Sequence, residues 1–143
     1  MTMKKPFALP ACIALITLFT SPFARAESPV AAHETITPAF HEVIANVPGK
    51  SLTALIVDYA PGAKTPPHRH GSAFVVGYVL SGAIRSQVNG GETHIYHTGE
   101  SWTEKPGAHH TVSENASDTE PAKLMAIFVA DTDDHDLVTL DKH

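Results

Sequence analysis

Short apolar runs interrupted by Pro, Gly and Asn dominate the chain after about residue 38. Val, Ile, Thr, Tyr and Phe are frequent in these runs, as is typical of β-strands. No window outside the N-terminal segment sustains the apolar period of an amphipathic helix. The runs are FHEVIANV, SLTALIVDYA, AFVVGYVLSG, AIRSQV, THIYHT, ESWTE, HHTVSE and KLMAIFVA. Many short strands with regular punctuation predict a β-sandwich or a small barrel.

One tight turn is predicted within this pattern. The segment VNGGE runs from Val88 to Glu92 and contains an Asn-Gly pair. This pair accepts the positive φ angles of a two-residue hairpin turn. We therefore expect a β-hairpin at this point.

The first 26 residues are typical of a secretory signal peptide. Two lysines precede a mostly apolar stretch from Phe7 to Phe23, and Ala24-Arg25-Ala26 supplies the small residues of a cleavage site. A retained membrane anchor is disfavoured by Pro10 and Pro22 and by the short apolar core. We predict cleavage after Ala26 and a periplasmic or secreted protein. A flexible arm at residues 27–38 would then precede one domain at residues 39–143.

Cleavage changes the composition of the chain. It leaves 117 of the 143 residues and removes Cys12, which excludes disulfides and thiol catalysis in the mature protein. Seven of the ten Lys and Arg remain against fifteen Asp and Glu, a net charge of −8 with neutral histidine. This balance disfavours nucleic-acid binding, and no membrane association is expected after cleavage. The acidic tail from Asp131 is predicted to be a solvated end rather than a calcium site.

All ten histidines lie in the mature part, and two of them form an H-x-H pair. In an extended segment, His68 and His70 face the same way while Arg69 faces solvent or a partner subunit. Two neutral imidazoles suit a borderline divalent ion such as iron, zinc, nickel, copper or manganese. Histidine pairs are also common on surfaces without a metal, so the pair alone is a weak indication.

The residues around this pair resemble the two sequence motifs of the cupin superfamily. The first motif contains a glycine, an H-x-H pair, a glutamate and a second glycine; the second contains a glycine, a P-x-G unit, a histidine and an asparagine. The matching residues are Gly62, His68, His70 and Gly82 in the first motif and Gly99, Gly107 and His110 in the second. The resemblance covers roughly Val57 to Val129. It implies an all-β fold, a conical double-stranded β-helix or jelly-roll barrel of two antiparallel sheets, with a metal bound inside by His68, His70 and His110.

One position departs from the first motif. Counted back from Gly82, the motif's glutamate falls on Val75, and no other acid lies between His70 and Gly82. The site could therefore consist of three histidines, or a carboxylate could come from elsewhere. Glu104 is the candidate, because the residue at this place in the family usually points into the barrel, and alternation puts Trp102 on its face. An outward, solvated Glu104 is the alternative.

Three functions remain open from the sequence. The first is an exported metalloenzyme acting on a small organic molecule, with Fe²⁺ as the favoured ion and Mn²⁺, Ni²⁺ or Zn²⁺ as others. A three-histidine site resembles the arrangement in some cupin dioxygenases, so a dioxygenase-type reaction is preferred over isomerisation or decarboxylation. Glu104 would be a fourth ligand or a general base. The second is a non-catalytic ligand-binding or sensing module, and the third is a scaffold barrel. A homodimer is expected, because a partner often covers exposed strand edges.

The remaining candidate residues are assigned lesser roles. Alternation points His109 away from the metal and puts His94 and His97 on opposite faces of one strand. Tyr78 and Trp102 line a pocket or pack in the core. A surface role is expected for Arg85, and the other four histidines, His33, His41, His135 and His143, are expected to be solvated.

Overall fold

The computed structural model describes residues 33–142 of the chain, which form β-strands and no helix. The described part therefore offers no helical segment able to cross a bilayer. The predicted signal peptide and the arm before residue 33 lie outside the described residues. The strands are β1 Glu34–Val43, β2 Lys50–Tyr59, β3 Lys64–Thr65, β4 His68–Arg69, β5 Phe74–Ser81, β6 Ala83–Val88, β7 His94–His97, β8 Ser101–Glu104, β9 His109–Asn115, β10 Ala122–Asp131 and β11 Thr139–Leu140.

The strands form two antiparallel sheets. One sheet has the order β1-β2-β10-β5-β8. The other has the order β11-β4-β9-β6-β7, with β3 paired to β9. The main apolar cluster joins the two sheets, since Tyr59 and Leu124 of the first pack with Ile84 of the second. The prediction of an all-β fold with two antiparallel sheets is confirmed.

The predicted hairpin connects β6 and β7. Asn89 and Gly90 have φ angles of 53° and 65°, and the amide of Gly91 donates to the carbonyl of Val88 at 3.0 Å. Two consecutive residues with positive φ are the signature of the mirror-image turn that matches strand twist. The side chain of Asn89 also accepts a hydrogen bond from the amide of His109 at 2.8 Å, which ties the turn to β9.

The chain is ordered earlier than the predicted arm allowed. Glu34 to Pro38 belong to β1, paired antiparallel with the Leu55 to Tyr59 part of β2. The prediction ended the arm at about Pro38 because residues 27–38 show no stable period, and a proline cannot donate to a ladder. However, β1 is an edge strand, so a missing amide is tolerated there, and the register shifts immediately afterwards.

The C-terminal segment is not simply a solvated end. The prediction fits the exposed His135, but β11 pairs with β4, and the amide of Asp141 donates to the carbonyl of Pro67 at 3.0 Å. The segment therefore returns to the strand that carries His68. The acidic sequence did not indicate this, because only two residues form the ladder.

Candidate metal centre

The three predicted histidines come together inside the protein. His68 of β4 and His110 of β9 are direct partners across the ladder, and His70 follows β4 immediately. All three are buried, with one ring nitrogen of each within 4.8 Å of the others. The ring centroid of His68 lies 4.7 Å from that of His70 and 5.0 Å from that of His110.

Backbone carbonyls set the protonation of two of these rings. Nδ1 of His68 lies 2.7 Å from the carbonyl oxygen of Pro66, and Nδ1 of His70 lies 2.9 Å from that of Leu137. A carbonyl oxygen can only accept, so both Nδ1 atoms carry the hydrogen and both Nε2 atoms keep a lone pair. Metal-binding histidines are oriented in this way.

The third ring lies between a hydroxyl and a carboxylate. Nε2 of His110 is 2.9 Å from Oγ of Ser86, and Nδ1 is 3.2 Å from Oε1 of Glu104. When Nε2 donates to the serine oxygen, the lone pair on Nδ1 faces the carboxylate. Ser86 was not singled out from the sequence, since a serine in a strand carries no signal of its own.

Glu104 points inward, and the outward alternative is wrong. Its side chain is 2% exposed, and its Oε1 accepts a hydrogen bond from Nε1 of Trp102 at 3.1 Å. Its Oε2 has no hydrogen-bond partner and lies 3.5 Å from Nε2 of His70. The predicted shared face of Trp102 and Glu104 is confirmed, and Gly77 makes room for the indole, because a Cβ there would lie 2.5 Å from Cζ2 of Trp102.

Val75 and Glu104 are neighbours across the ladder. Val75 of β5 is in direct register with Glu104 of β8, and both side chains are buried. Directly opposed residues place their Cβ atoms about 4.5–5.5 Å apart on the same face of a sheet. The carboxylate therefore enters the barrel one strand away from Val75.

Burial shifts the protonation of all four groups. Loss of hydration lowers the pKa of His68 and His70, and lowers that of His110 to about 3, with the other two imidazoles adding to the effect at His110. The same loss raises the pKa of Glu104, against the opposing effects of the Trp102 hydrogen bond and His68. The imidazoles are therefore neutral at pH 7, as metal coordination requires.

The four groups line a cavity of about 50 Å³. Most of the wall is apolar, and Phe128 packs its ring against His70 with centroids 5.2 Å apart. The mouth lies near Ile36 and Val138, which line the cavity and are 48% and 39% exposed. The described lining residues include no lysine or arginine; they are Ile36, Leu55, Val57, Tyr59, Thr65, His68, His70, Val75, Gly77, Trp102, Glu104, His110, Ser113, Leu124, Ala126, Phe128 and Val138.

A chain of hydroxyl groups forms the polar part of the wall. The hydroxyl of Tyr59 lies 2.6 Å from Oγ1 of Thr65 and 2.9 Å from Oγ of Ser113. Thr65 in turn donates to Oε2 of Glu34 in β1. Burial raises the pKa of Tyr59 to about 12, so its phenol stays protonated. None of these residues was predicted as a site residue.

A β-bulge explains why Ser113 escaped prediction. The β6–β9 register shifts so that Val88 faces His110 and Gln87 faces Val112, which leaves Thr111 unpaired. Strict alternation from His110 would turn Ser113 outward, and the extra residue turns it inward. Thr111 stabilises this shift by donating to the carbonyl of Gln87 at 3.1 Å.

The other histidines lie outside the cluster. His109 is half-buried and pairs with Asp141, its Nε2 at 2.7 Å from Oδ2, as its predicted direction away from the metal requires. His94 and His97 are both exposed, and neither lines the cavity.

The remaining predicted residues divide between wall and surface. Trp102 lines the cavity, whereas Tyr78 is exposed on the opposite face of β5 and therefore neither lines the cavity nor packs in the core. Arg69 is exposed, and Arg85 pairs with Glu114 at 2.5 Å without lining the cavity.

Comparison with solved structures identifies the fold. An uncharacterized conserved protein with a double-stranded β-helix domain from Klebsiella pneumoniae is 15% identical, with a TM-score of 0.60 over 83% of this chain and 90% of that one. A recombinant oxalate oxidase in complex with glycolate is 22% identical, with a TM-score of 0.58 over 75% and 54%. DMSP lyase DddQ from Ruegeria pomeroyi is 19% identical, with a TM-score of 0.53 over 62% and 42%. The chain thus spans 54% of the oxidase and 42% of the lyase, and the likeness shows the fold alone.

The sequence comparison agrees with the fold. No curated protein matches the sequence significantly. Residues 55–128, more than half of the chain, match the family model of the cupin domain. The triad, Glu104 and nearly the whole cavity wall lie in or beside this range. The chain therefore belongs to the cupin superfamily.

Proposed function

We propose that this protein is a metal-dependent enzyme acting on a small organic molecule. His68, His70 and His110 would hold a divalent ion, and Glu104 would be its fourth ligand or a general base. One observation carries the proposal. The unpartnered Oε2 of Glu104 is buried among three neutral imidazoles and lies 3.5 Å from Nε2 of His70, which carries a lone pair.

The electrostatics of this contact favour a cation. The hydrogen of His70 points to Leu137, so nothing in the ring can donate to Glu104. Facing lone pairs repel unless a proton or a metal ion lies between them, and a buried unpaired carboxylate is costly. The described lining offers no basic side chain to neutralise it. A divalent ion would satisfy the imidazoles and the carboxylate together.

The donor set fits first-row ions. Three imidazole nitrogens and one carboxylate oxygen suit Fe²⁺, Mn²⁺, Ni²⁺ or Zn²⁺, and we favour Fe²⁺. A bound divalent ion would supply Lewis acidity, and iron would add the redox chemistry that an oxygenation requires. Three neutral histidines and one carboxylate would leave a net charge of +1 around a divalent ion, which attracts anionic chelating substrates.

The chain's own residues would then perform the supporting steps. Glu104, when it is not a ligand, would take a proton from a bound substrate, and Trp102 would hold its orientation by donating to Oε1. Phe128 and the other apolar wall residues exclude water from the reacting atoms. A dioxygenase-type reaction is our first choice, and metal-assisted isomerisation or decarboxylation is our second.

Elemental analysis tests the metal site directly. Untagged protein should bind about one divalent ion per chain, and His68→Ala/His70→Ala should lose it. The exposed pair His94→Ala/His97→Ala is the matched control and should retain metal. Oxygen-consumption screening against diketones, catechols and hydroxy acids then tests the reaction. Equally low metal in wild type and the triad variant after reconstitution would reject the proposal.

A non-catalytic binding or sensing module is the second candidate. The predominantly apolar lining of the cavity favours it, because ligand pockets are lined mostly by apolar and aromatic side chains. Ligand binding that persists without turnover after metal removal would support this function over the enzyme.

We also propose that the protein is exported to the periplasm or beyond and forms a homodimer. The outer face of the five-stranded sheet supports the dimer, since Phe40, Phe74 and Tyr78 are exposed there. Light scattering should show a dimer that Phe74→Ser/Tyr78→Ser weakens. A wild-type monomer at all concentrations would contradict it.

A further inference from the structure

The hydroxyl chain in the cavity wall has a fixed direction. A carboxylate oxygen can only accept, so Thr65 must give its single hydrogen to Glu34. Thr65 then receives the hydrogen of Tyr59, and Tyr59 in turn receives that of Ser113. Every hydroxyl hydrogen in the chain is therefore directed toward Glu34 of β1.

This direction determines what the wall offers to a ligand. Tyr59 and Ser113 have committed their hydrogens, and each keeps oxygen lone pairs that no described residue uses. Both residues line the cavity, as does the unpartnered Oε2 of Glu104. The hydroxyl and carboxylate side chains that line the cavity thus offer acceptors, and the hydrogen of Trp102 is given to Glu104.

The size of the cavity brings the two halves of the site close together. The cavity of about 50 Å³ is small, and its lining residues include the three histidines, Tyr59 and Ser113. We therefore expect a small ligand held at the histidines to contact these two hydroxyl groups as well. A carbonyl or ether oxygen placed there would meet lone pairs, whereas a hydroxyl would donate to them.

We propose that the cavity selects small 2-hydroxycarboxylates over the matching 2-oxocarboxylates. This inference rests on the proposed metal site, which holds the carboxylate end of the ligand. Ser113 and Tyr59 accept the hydrogen of the 2-hydroxyl group, and Glu34 acts from outside the cavity by fixing the direction of the chain. Ser113, Tyr59 and Thr65 are therefore specificity-determining residues.

Calorimetric titration of the zinc-loaded protein with lactate and with pyruvate tests the inference. Zinc is redox-inert, so binding is measured without turnover. The ratio of the two affinities in wild type should exceed that in Ser113→Ala by roughly 2- to 13-fold, the effect of one hydrogen bond of about 0.5–1.5 kcal/mol. Ser113→Thr, which keeps the hydroxyl, should restore the preference. Ser51→Ala removes a buried serine hydroxyl that donates to Thr132 instead, and should leave the ratio unchanged.

Thr65→Val tests whether the direction of the hydroxyl hydrogens, rather than the mere presence of hydroxyl groups, determines the preference. Without Thr65 the hydrogen of Tyr59 turns to Ser113, and the freed hydrogen of Ser113 points into the cavity. Pyruvate should then bind more tightly than in wild type, with the lactate preference lost or reversed. An unchanged ratio in both Ser113→Ala and Thr65→Val, with zinc still bound, overturns this inference and leaves the proposed function intact. Failure of wild type to bind zinc overturns both.

Discussion

Replacing Glu104 with glutamine should separate metal binding from folding. The amide has the shape of the carboxyl group but supplies two hydrogens. One of them can be donated to Nε2 of His70, which has a free lone pair and lies 3.5 Å from Oε2 in wild type. The substitution therefore satisfies the cluster without a metal and removes the negative charge that a metal would neutralise. Metal-free protein should become more stable, while stabilisation by metal should fall.

The size of the second effect follows from binding linkage. At a metal concentration 100 times the wild-type Kd, binding stabilises the fold by about 2.7 kcal/mol. Loss of a group that supports the metal site weakens affinity by about 10- to 100-fold. At the same concentration the variant would retain only about 1.4 to 0.4 kcal/mol of stabilisation. Thermal unfolding with and without added Mn²⁺ or Zn²⁺ measures this difference.

The pH dependence of the stability of metal-free protein provides a second test of Glu104. Burial raises the pKa of Glu104, so the folded state holds its proton more tightly than the unfolded state. The metal-free wild type therefore loses stability as pH rises from below the unfolded pKa to above the folded one. Glutamine has no such loss, so the advantage of the variant should grow from acid to neutral pH. Urea unfolding with a chelator at several pH values tests this.

Glu114→Gln is the matched control, since Glu114 is a half-buried carboxylate that pairs with Arg85 outside the cavity. It should leave the stabilisation by metal unchanged. Its stability relative to wild type should also not grow from acid to neutral pH. Equal metal stabilisation in wild type and Glu104→Gln would refute the role of Glu104 at the metal. A metal-free variant less stable than wild type at neutral pH would refute the lone-pair argument.

Three further substitutions or truncations have defined outcomes. Ending the chain after Asp136 removes the Leu137 carbonyl that orients His70, so calorimetry should show metal affinity about 10- to 100-fold weaker, and unchanged affinity would contradict this. Gly77→Ala places a Cβ 2.5 Å from Cζ2 of Trp102, which should lower unfolding free energy by about 1–3 kcal/mol; a neutral result in a denaturant titration would mean that the indole can move freely. Burial lowers the pKa of His110 to about 3, so metal-free protein should lose stability as pH falls from about 6.5 toward 3, and His110→Asn should show a shallower loss in urea titrations.

Motif spacing and alternation were sufficient to place the triad. His68 and His70 share a face because a strand alternates, and the cupin motifs put His110 opposite them, where the ladder pairs it with His68. Glu104 was selected because the residue at this place in the family usually points into the barrel, and the alternation that puts Trp102 on its face holds in the short strand β8. Alternation therefore predicted the side-chain directions correctly in β4 and β8, whose pairings show no register shift.

The parts of the site that escaped prediction depend on irregular geometry. Ser113 faces inward only because Thr111 is bulged, and a bulge leaves no composition signal. Leu137 contributes a backbone carbonyl, so its side-chain identity carries no information about its contact with His70. Glu34 acts through Thr65 from an edge strand whose first residues show no stable period in the sequence. Each of these requires tertiary placement that local pattern does not encode.

Val75 and Glu104 occupy equivalent positions for a side chain that must enter the cavity. The first cupin motif predicts an acid at position 75, and the sequence has valine there. Directly opposed residues in an antiparallel ladder point to the same side, and Val75 and Glu104 are such a pair. A carboxylate moved from one to the other still enters the same cavity, beside the same imidazoles. Both positions are also shielded from water to a similar degree, since Val75 is 1% and Glu104 is 2% exposed. What changes is the direction of approach: Glu104 reaches the histidines from β8, fixed by Trp102, so its chemistry depends on an indole that Gly77 must accommodate. Loss of metal response in Gly77→Ala with Glu104 intact would therefore be the expected mark of a carboxylate that is oriented from this strand.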